Sequence, residues 1–367
     1  MRLFILPVSG GAFPIQLAFL RELNILGIKP DVALGSSGGN VAAYIGAATG
    51  WNPDNYVNIV KPIHNGMFLS SWWPYYLSFL PSYIPGYFKG SIYANGSGGD
   101  SYFKKMYTPD SVIQTEIWSG TLNRDTGMGQ LFCNRNPQTS TLKIAPDNKI
   151  NSFWIRDCMT PFYMDGNMDT IVKVIIASAA IPVIIPEQEI NGQHYVDGGT
   201  LFSSPLTPLV DYILALNQPK YHLDYFSSFD IQSSEASKMT KNVYQNGILT
   251  IGELVKSICI QDRLVAVEFL RTNEQINFLT LPGNLDSLKT IENIRTNCNR
   301  SLLEFYPLKN DSMDLTSFTG EHIVNLMDFA SKNYALRFWW TGTNAHPESV
   351  KISPEKFRDI MKIKPKT

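Results

Sequence analysis

The segment Gly35-Ser36-Ser37-Gly38-Gly39 constrains this chain more than any other. It follows the short apolar run Asp31-Val32-Ala33-Leu34 and precedes a helix of small residues, Asn40 to about Thr49. Glycines two residues either side of Ser37 (Gly35 and Gly39) remove the Cβ atoms that would clash in a sharp strand-to-helix turn. The serine at the apex then sits at a helix N-terminus, where free amides and the macrodipole favour developing negative charge. The pattern is that of a nucleophile elbow. The competing reading is a glycine-rich turn with Ser36 or Ser37 as a helix N-cap.

The flanking sequence implies a parallel sheet. Residues 2–8 suit a buried strand, and Ser9-Gly10-Gly11-Ala12 is a loop. From Pro14 to about Leu26 the apolar residues Ile15, Leu17, Ala18, Leu20, Leu23 and Leu26 recur at helical spacing, and Gly27 stops the helix. The order β-α-β-α predicts parallel strands covered by helices. Further on, Glu116 to Leu122 and Gly129 to Cys133 read as paired strands around Asp125-Thr126-Gly127. Val172 to Ile176 reads as another apolar strand, and Ala177 to Pro182 as a turn or short helix. A strand ending at Val196 leads into Asp197-Gly198-Gly199. Beyond about residue 240 the pattern is mainly helical, notably Leu249 to Arg271 and His322 to Trp340. These features suggest a catalytic unit over 1–240 and a mainly helical region over 241–367 packed on it.

Composition narrows the function. Hydrophobic residues make up 44% and charged residues 17%, which fits a globular core. The formal net charge is −1, so no global field favours nucleic acid or anionic membrane. Cys133, Cys158, Cys259 and Cys298 show no C-x-x-C spacing and read as scattered thiols. No metal-ligand cluster is visible, and no cofactor is expected. The N-terminal apolar run of about six residues is shorter than a signal-peptide core, and no stretch reaches the roughly 18 apolar residues of a spanning helix. The expectation is an intracellular, cytoplasmic chain. The sequence does not set its oligomeric state.

Two stretches suit a lipid surface. An aromatic-rich insertion at about 66–110 carries Trp72, Trp73, Tyr75, Tyr76 and Phe79 and is broken by Pro74, Pro81 and Pro85. Its rings either rest in a headgroup layer as a peripheral membrane contact or pack as a cap over the sheet. The last seventeen residues hold six basic and two acidic side chains, a solvated tail or an anionic-lipid contact.

Two further motifs complete a site. Ser9-Gly10-Gly11-Ala12 ends the first strand, and neighbouring parallel strands place their C-terminal loops side by side. The Gly10 and Gly11 amides can therefore face an oxyanion formed when Ser37 attacks a carbonyl; the plain alternative is an ordinary βα turn. Asp197-Gly198-Gly199 is by itself a favoured tight turn.

In this order, these elements resemble the patatin-like phospholipase family. That family has a glycine-rich oxyanion loop after the first strand, G-x-S-x-G about 25 residues on, and a distant D-G-[GA]. The segment Ala177-Ser178-Ala179-Ala180-Ile181-Pro182, then Pro186 and Tyr195-Val196-Asp197-Gly198-Gly199, is similar to the family's approach to its aspartate. Thr121 to Phe132 resembles its central strands, and Ser203-Ser204-Pro205-Leu206 its N-x-P segment with serine in place of asparagine. The likeness covers about residues 1–215. The chain departs from the pattern in its first loop, which has two glycines and no following basic residue.

The resemblance implies a three-layer α/β/α fold with a mainly parallel sheet. It also implies a lipid ester substrate and a Ser37–Asp197 dyad without histidine, working through an acyl-enzyme. Gly10 and Gly11 form its oxyanion hole, and Gly35, Gly39 and Gly198 support the motifs. Two alternatives stay open. One is an α/β-hydrolase-type esterase, since His222, His322 and His346 follow Asp197 in the order Ser…Asp…His. The other is a non-catalytic storage or scaffold protein of the same fold. His194, three residues before Asp197, reads as structural because an odd step along a strand faces away.

Overall fold

A computed structural model describes residues 1–64, 97–106, 114–144, 155, 158–181, 185–228, 258–266, 270, 276–308, 319–342 and 346–353. Most of the aromatic stretch at 66–110 and the basic tail beyond residue 353 lie outside them.

The first strand, β1 (Arg2–Leu6), is buried on both faces, as an apolar run inside a parallel sheet must be. It pairs in parallel with β2 (Val32–Ser36) on one side and β8 (Tyr221–Phe226) on the other. Beyond β2 lies β3 (Glu116–Asn123), and beyond β8 lies β10 (Arg300–Pro307), both also parallel. Five parallel strands in the order β10-β8-β1-β2-β3 thus make the centre of the sheet. Antiparallel neighbours extend both flanks. These are β4 (Gly129–Cys133) beside β3, and β11 (Tyr334–Thr341) beside β10. Then come β5 (Met159–Tyr163) on one side, and β9 (Ile276–Pro282) and β12 (Val350–Ile352) on the other. A short hairpin, β6 (Gln188–Ile190) and β7 (Gln193–Asp197), returns to pair antiparallel with β3.

Alternation along β1 separates two cores. Phe4 and Leu6 join the core under α1 (Phe13–Ile25), α2 (Gly38–Ala48) and α3 (Asn55–Val60). Leu3 and Ile5 face the core under α6 (Leu206–Ala215) and the α-helical residues 258–266, designated α7. Helices on both faces of a mainly parallel sheet give the three-layer α/β/α architecture the sequence implied. The remaining helices are α4 (Ser97–Met106), α5 (Met168–Ser178), α8 (Leu285–Arg295) and α9 (Gly320–Ala330); α5, α8 and α9 join the first core.

Two sequence expectations change here. Val172 to Ile176 is the body of α5, not a strand. Its start signals are Asn167, whose side chain accepts the Thr170 amide at 3.0 Å, and Asp169 in the first turn. Periodicity is uninformative in a run so uniformly apolar. The C-terminal third does contain helices, but it also donates β9, β10, β11 and β12 to the same sheet. In particular, His322 to Trp340 is helical only through Ala330, and Tyr334 begins β11. There Phe338, Trp339 and Trp340 are all buried between β9 and β10, a setting that favours aromatic strand residues over a helix.

A buried ion cluster ties this C-terminal part to β1. Arg2 Nε donates to Asp224 Oδ2 of β8 at 2.6 Å, and Arg295 of α8 donates to Asp224 Oδ1 at 2.8 Å. Both arginines also hold Glu292. Burial opposes its charge, yet Arg295 and Arg2 draw the Glu292 carboxyl down to about 2. Removing Asp224 leaves two enclosed guanidinium groups facing a vacated site. Asp224→Ala is therefore expected to lower stability by about 3–5 kcal/mol. Urea unfolding followed at once by far-UV circular dichroism and tryptophan fluorescence measures it, and the two probes should move together.

Candidate active site

The sheet brings Ser37 and Asp197 together end to end along one edge of β3, the edge opposite β4. Ser36 ends β2 opposite Gly120, and Asp197 ends β7 opposite Thr121. One residue on, Ser37 turns sharply, with φ 56° and ψ −133°. A positive φ is costly for a residue with a Cβ and is held in place only by surrounding structure. The turn works because its neighbours are glycines. A Cβ on Gly35 would lie 2.7 Å from the Asn40 Cα. One on Gly39 would run into the carbonyl oxygens of Leu6 and Pro7, and one on Gly198 into Gly120. The helix α2 starts at once behind the serine.

Ser37 Oγ donates to Asp197 Oδ2 at 2.7 Å. The other oxygen, Oδ1, accepts the Gly199 amide at 2.7 Å. Both residues are buried, Ser37 at 1% exposure and Asp197 at 2%. Burial pushes the Asp197 carboxyl up to about 7, against the hydrogen bonds from Ser37 and Gly199 that favour its charged form. This is the poise a general base needs near neutral pH.

Gly10 adopts φ +52° and opens a short 3-10 turn over Gly10–Ala12. A Cβ on Gly38 would meet the Gly10 N at 3.0 Å and crowd Gly10 O and Ser9 Oγ more closely still. The first loop therefore lies against the first residue of α2. Gly10 and Gly11 are both partly exposed, unlike Ser37 behind them.

The histidines lie elsewhere. His222 faces Arg2 and Ser301 across the sheet, at the end of the parallel strands opposite to Ser37. Its Nδ1 is 2.9 Å from Ser301 Oγ, and burial together with Arg295 and Arg2 drives its pKa down to about 3. His322 is in the first turn of α9, which packs on α1 and α3. His346 accepts the Glu348 amide on the exposed loop before β12. His194 is beside Asp125 at the surface.

Three polar residues around the site escaped the sequence reading. Ser178 accepts the Ser37 amide, and Gln16 donates to both Pro7 O and Phe226 O while taking a hydrogen bond from Ser9. Asp262 of α7 accepts from Ser204 and Thr207, and burial pushes its carboxyl up to about 7. One signal was available for Gln16, a polar residue on the apolar stripe of α1. Ser178 lay inside a flagged segment, and nothing local marked Asp262.

With this geometry in place, comparison with known proteins identifies the class. The family model described as patatin-like phospholipase matches residues 9–210. That is more than half of the chain and includes Ser37 and Asp197. The chain belongs to the patatin-like phospholipase family, and membership implies lipid acyl hydrolase activity. Among solved structures it is similar to VipD from Legionella pneumophila, at 10% identity and a TM-score of 0.31. That match covers 89% of this chain and 66% of the other. No curated protein matches.

The glycines give a contrast that can be measured. Gly39→Ala is expected to prevent folding or to cost several kcal/mol, because its obstacles are backbone atoms. A Cβ on Gly10 meets nothing within 4 Å, so Gly10→Ala should cost only the left-handed backbone, about 1–2 kcal/mol. Chemical denaturation of the two variants side by side tests the ordering.

Proposed function

We propose that the chain hydrolyses carboxylic esters of lipids with Ser37 as nucleophile and Asp197 as general base. The observation that carries this is the 2.7 Å hydrogen bond between two buried side chains within the family-matched region. The Asp197 carboxylate takes the Ser37 hydroxyl proton as Oγ attacks the ester carbonyl carbon. The oxyanion develops at the N-terminus of α2, where the Gly10 and Gly11 amides and the helix dipole stabilise it. The tetrahedral intermediate collapses, and the departing alcohol takes the proton from Asp197. An acyl group remains on Ser37. Asp197 then takes a proton from a water that attacks the acyl carbon; the bond to Ser37 Oγ breaks, Asp197 returns the proton to that oxygen, and the fatty acid leaves. The carboxyl does directly what a histidine does in a triad, which is why its raised pKa matters.

Release of p-nitrophenol from p-nitrophenyl butyrate, and of fatty acid from phospholipid vesicles, tests the reading. Ser37→Ala and Asp197→Asn should each lower kcat at least about a thousandfold. Full activity in either would overturn the dyad. His222→Gln should keep activity within about twofold; a folded but inactive His222→Gln would favour the triad.

The pH dependence has a defined sign. Asp197 acts as a carboxylate, so kcat/KM should fall about tenfold per unit below about pH 7 and level off above it. Stability runs the other way. The raised pKa stabilises the fold fully below about pH 4, the range of an unfolded aspartate, and this contribution is lost as pH rises through about 7. Asp197→Asn has nothing to ionise. Its melting temperature should gain on the wild type between pH 4.5 and pH 8.

A further inference from the structure

The nucleophile and its base are both gripped by the segment that ends α5. Ser37 N–H donates to Ser178 Oγ at 3.0 Å, and Ser178 Oγ–H donates to Gly120 O at 2.8 Å. Two residues further on, Ala180 O accepts the Asp197 N–H at 3.0 Å. Ser178 is 0% exposed. A buried amide without a partner costs about 1–3 kcal/mol, and the Ser37 amide belongs to a residue already in a strained conformation. In a straight strand-to-helix passage that amide would point elsewhere. The hydroxyl of Ser178 accounts for both its direction and its satisfaction, and anchors itself on β3 at Gly120, where the strands that carry Ser37 and Asp197 meet end to end.

The geometry points to Ser178 as a positioning residue for Ser37, which sets the reach of the nucleophile to Asp197 without touching substrate. This rests on the Ser37–Asp197 reading above and extends it. Gly120 O could take its hydrogen bond from another donor, but the Ser37 amide faces Ser178 from within a closed site. Without the hydroxyl, the elbow is free to relax towards ordinary dihedrals, and such relaxation lengthens the 2.7 Å contact to Asp197. Small displacements of a reacting atom are costly: misplacement by about 1 Å can lose about a hundredfold in rate. Substrate binding, by contrast, has no contact with Ser178 to lose.

The test compares Ser178→Ala and Ser178→Cys with wild type on p-nitrophenyl butyrate. Rates are normalised to folded protein from thermal melts, and Ser37→Ala runs alongside. Ser178→Ala should lose about 10- to 100-fold in kcat with KM within twofold, and Ser178→Cys, a weak acceptor of similar size, should lose less. The rate of covalent labelling by a fluorophosphonate should fall in parallel, since it reads the nucleophile without the deacylation step. The inflection near pH 7 should persist, because Asp197 keeps its own contacts. Wild-type kcat and labelling in Ser178→Ala would overturn the assignment. If that variant does not fold, wild-type kcat in Ser178→Cys overturns it equally. A change in KM alone would also overturn it, as that would place Ser178 at the substrate. Retained hydrolysis in Ser37→Ala would instead overturn the reading of the dyad.

Discussion

The contact between Ser37 and Asp197 holds only because several backbones approach more closely than side chains normally allow. Strands β1, β2 and β3 run parallel, so the loops after them converge at one edge of the sheet. There the start of α2 touches the carbonyls of Leu6 and Pro7, and the turn after Asp197 touches Gly120. Each approach needs a missing Cβ. The glycines at 39 and 198 therefore do more than permit a turn: they fix how near the two catalytic candidates stand.

Burial then sets the chemistry. The aspartate in this closed space resists ionisation, and its titration moves to the pH range where a base is useful. The same enclosure makes every unpaired polar group costly, and the site answers with a dense set of hydrogen bonds from Ser178, Gly199 and Gln16. Exclusion of water accounts for both the cost in stability and the density of hydrogen bonds.

The site also depends on parts of the chain far from it in sequence. Val8, just before the first loop, donates its amide to Ser203 O, and Ser204 is bound by Asp262 of α7. The cluster of Arg2, Asp224, Glu292 and Arg295 joins β1 to β8 and α8. The C-terminal region is part of the same sheet, so the loop beside Ser37 is braced from both directions along the chain.

The elbow was legible in the sequence because its demands are local. A sharp turn at a serine needs glycines at fixed offsets, and a helix start needs small residues behind it. The order of glycine loop, elbow and Asp197-Gly198-Gly199 marked Asp197 as the candidate partner of Ser37, and the 2.7 Å hydrogen bond between them is what the structure adds. The run from Val172 to Ile176 was misread because a fully buried helix and a fully buried strand show the same unbroken apolar face. The strand at Tyr334–Thr341 was missed because only its neighbours β9 and β10 decide that it is extended. Sequence alone picked out Ser37 and Asp197 as candidates and placed them at the ends of strands. Tertiary structure alone decided that Ser37 and Asp197 meet along one edge of β3, that burial pushes the Asp197 carboxyl up to about 7, and that Ser178 holds the Ser37 amide. Distance, burial and hydrogen-bond direction between segments up to 160 residues apart are properties of packing, which no local pattern carries.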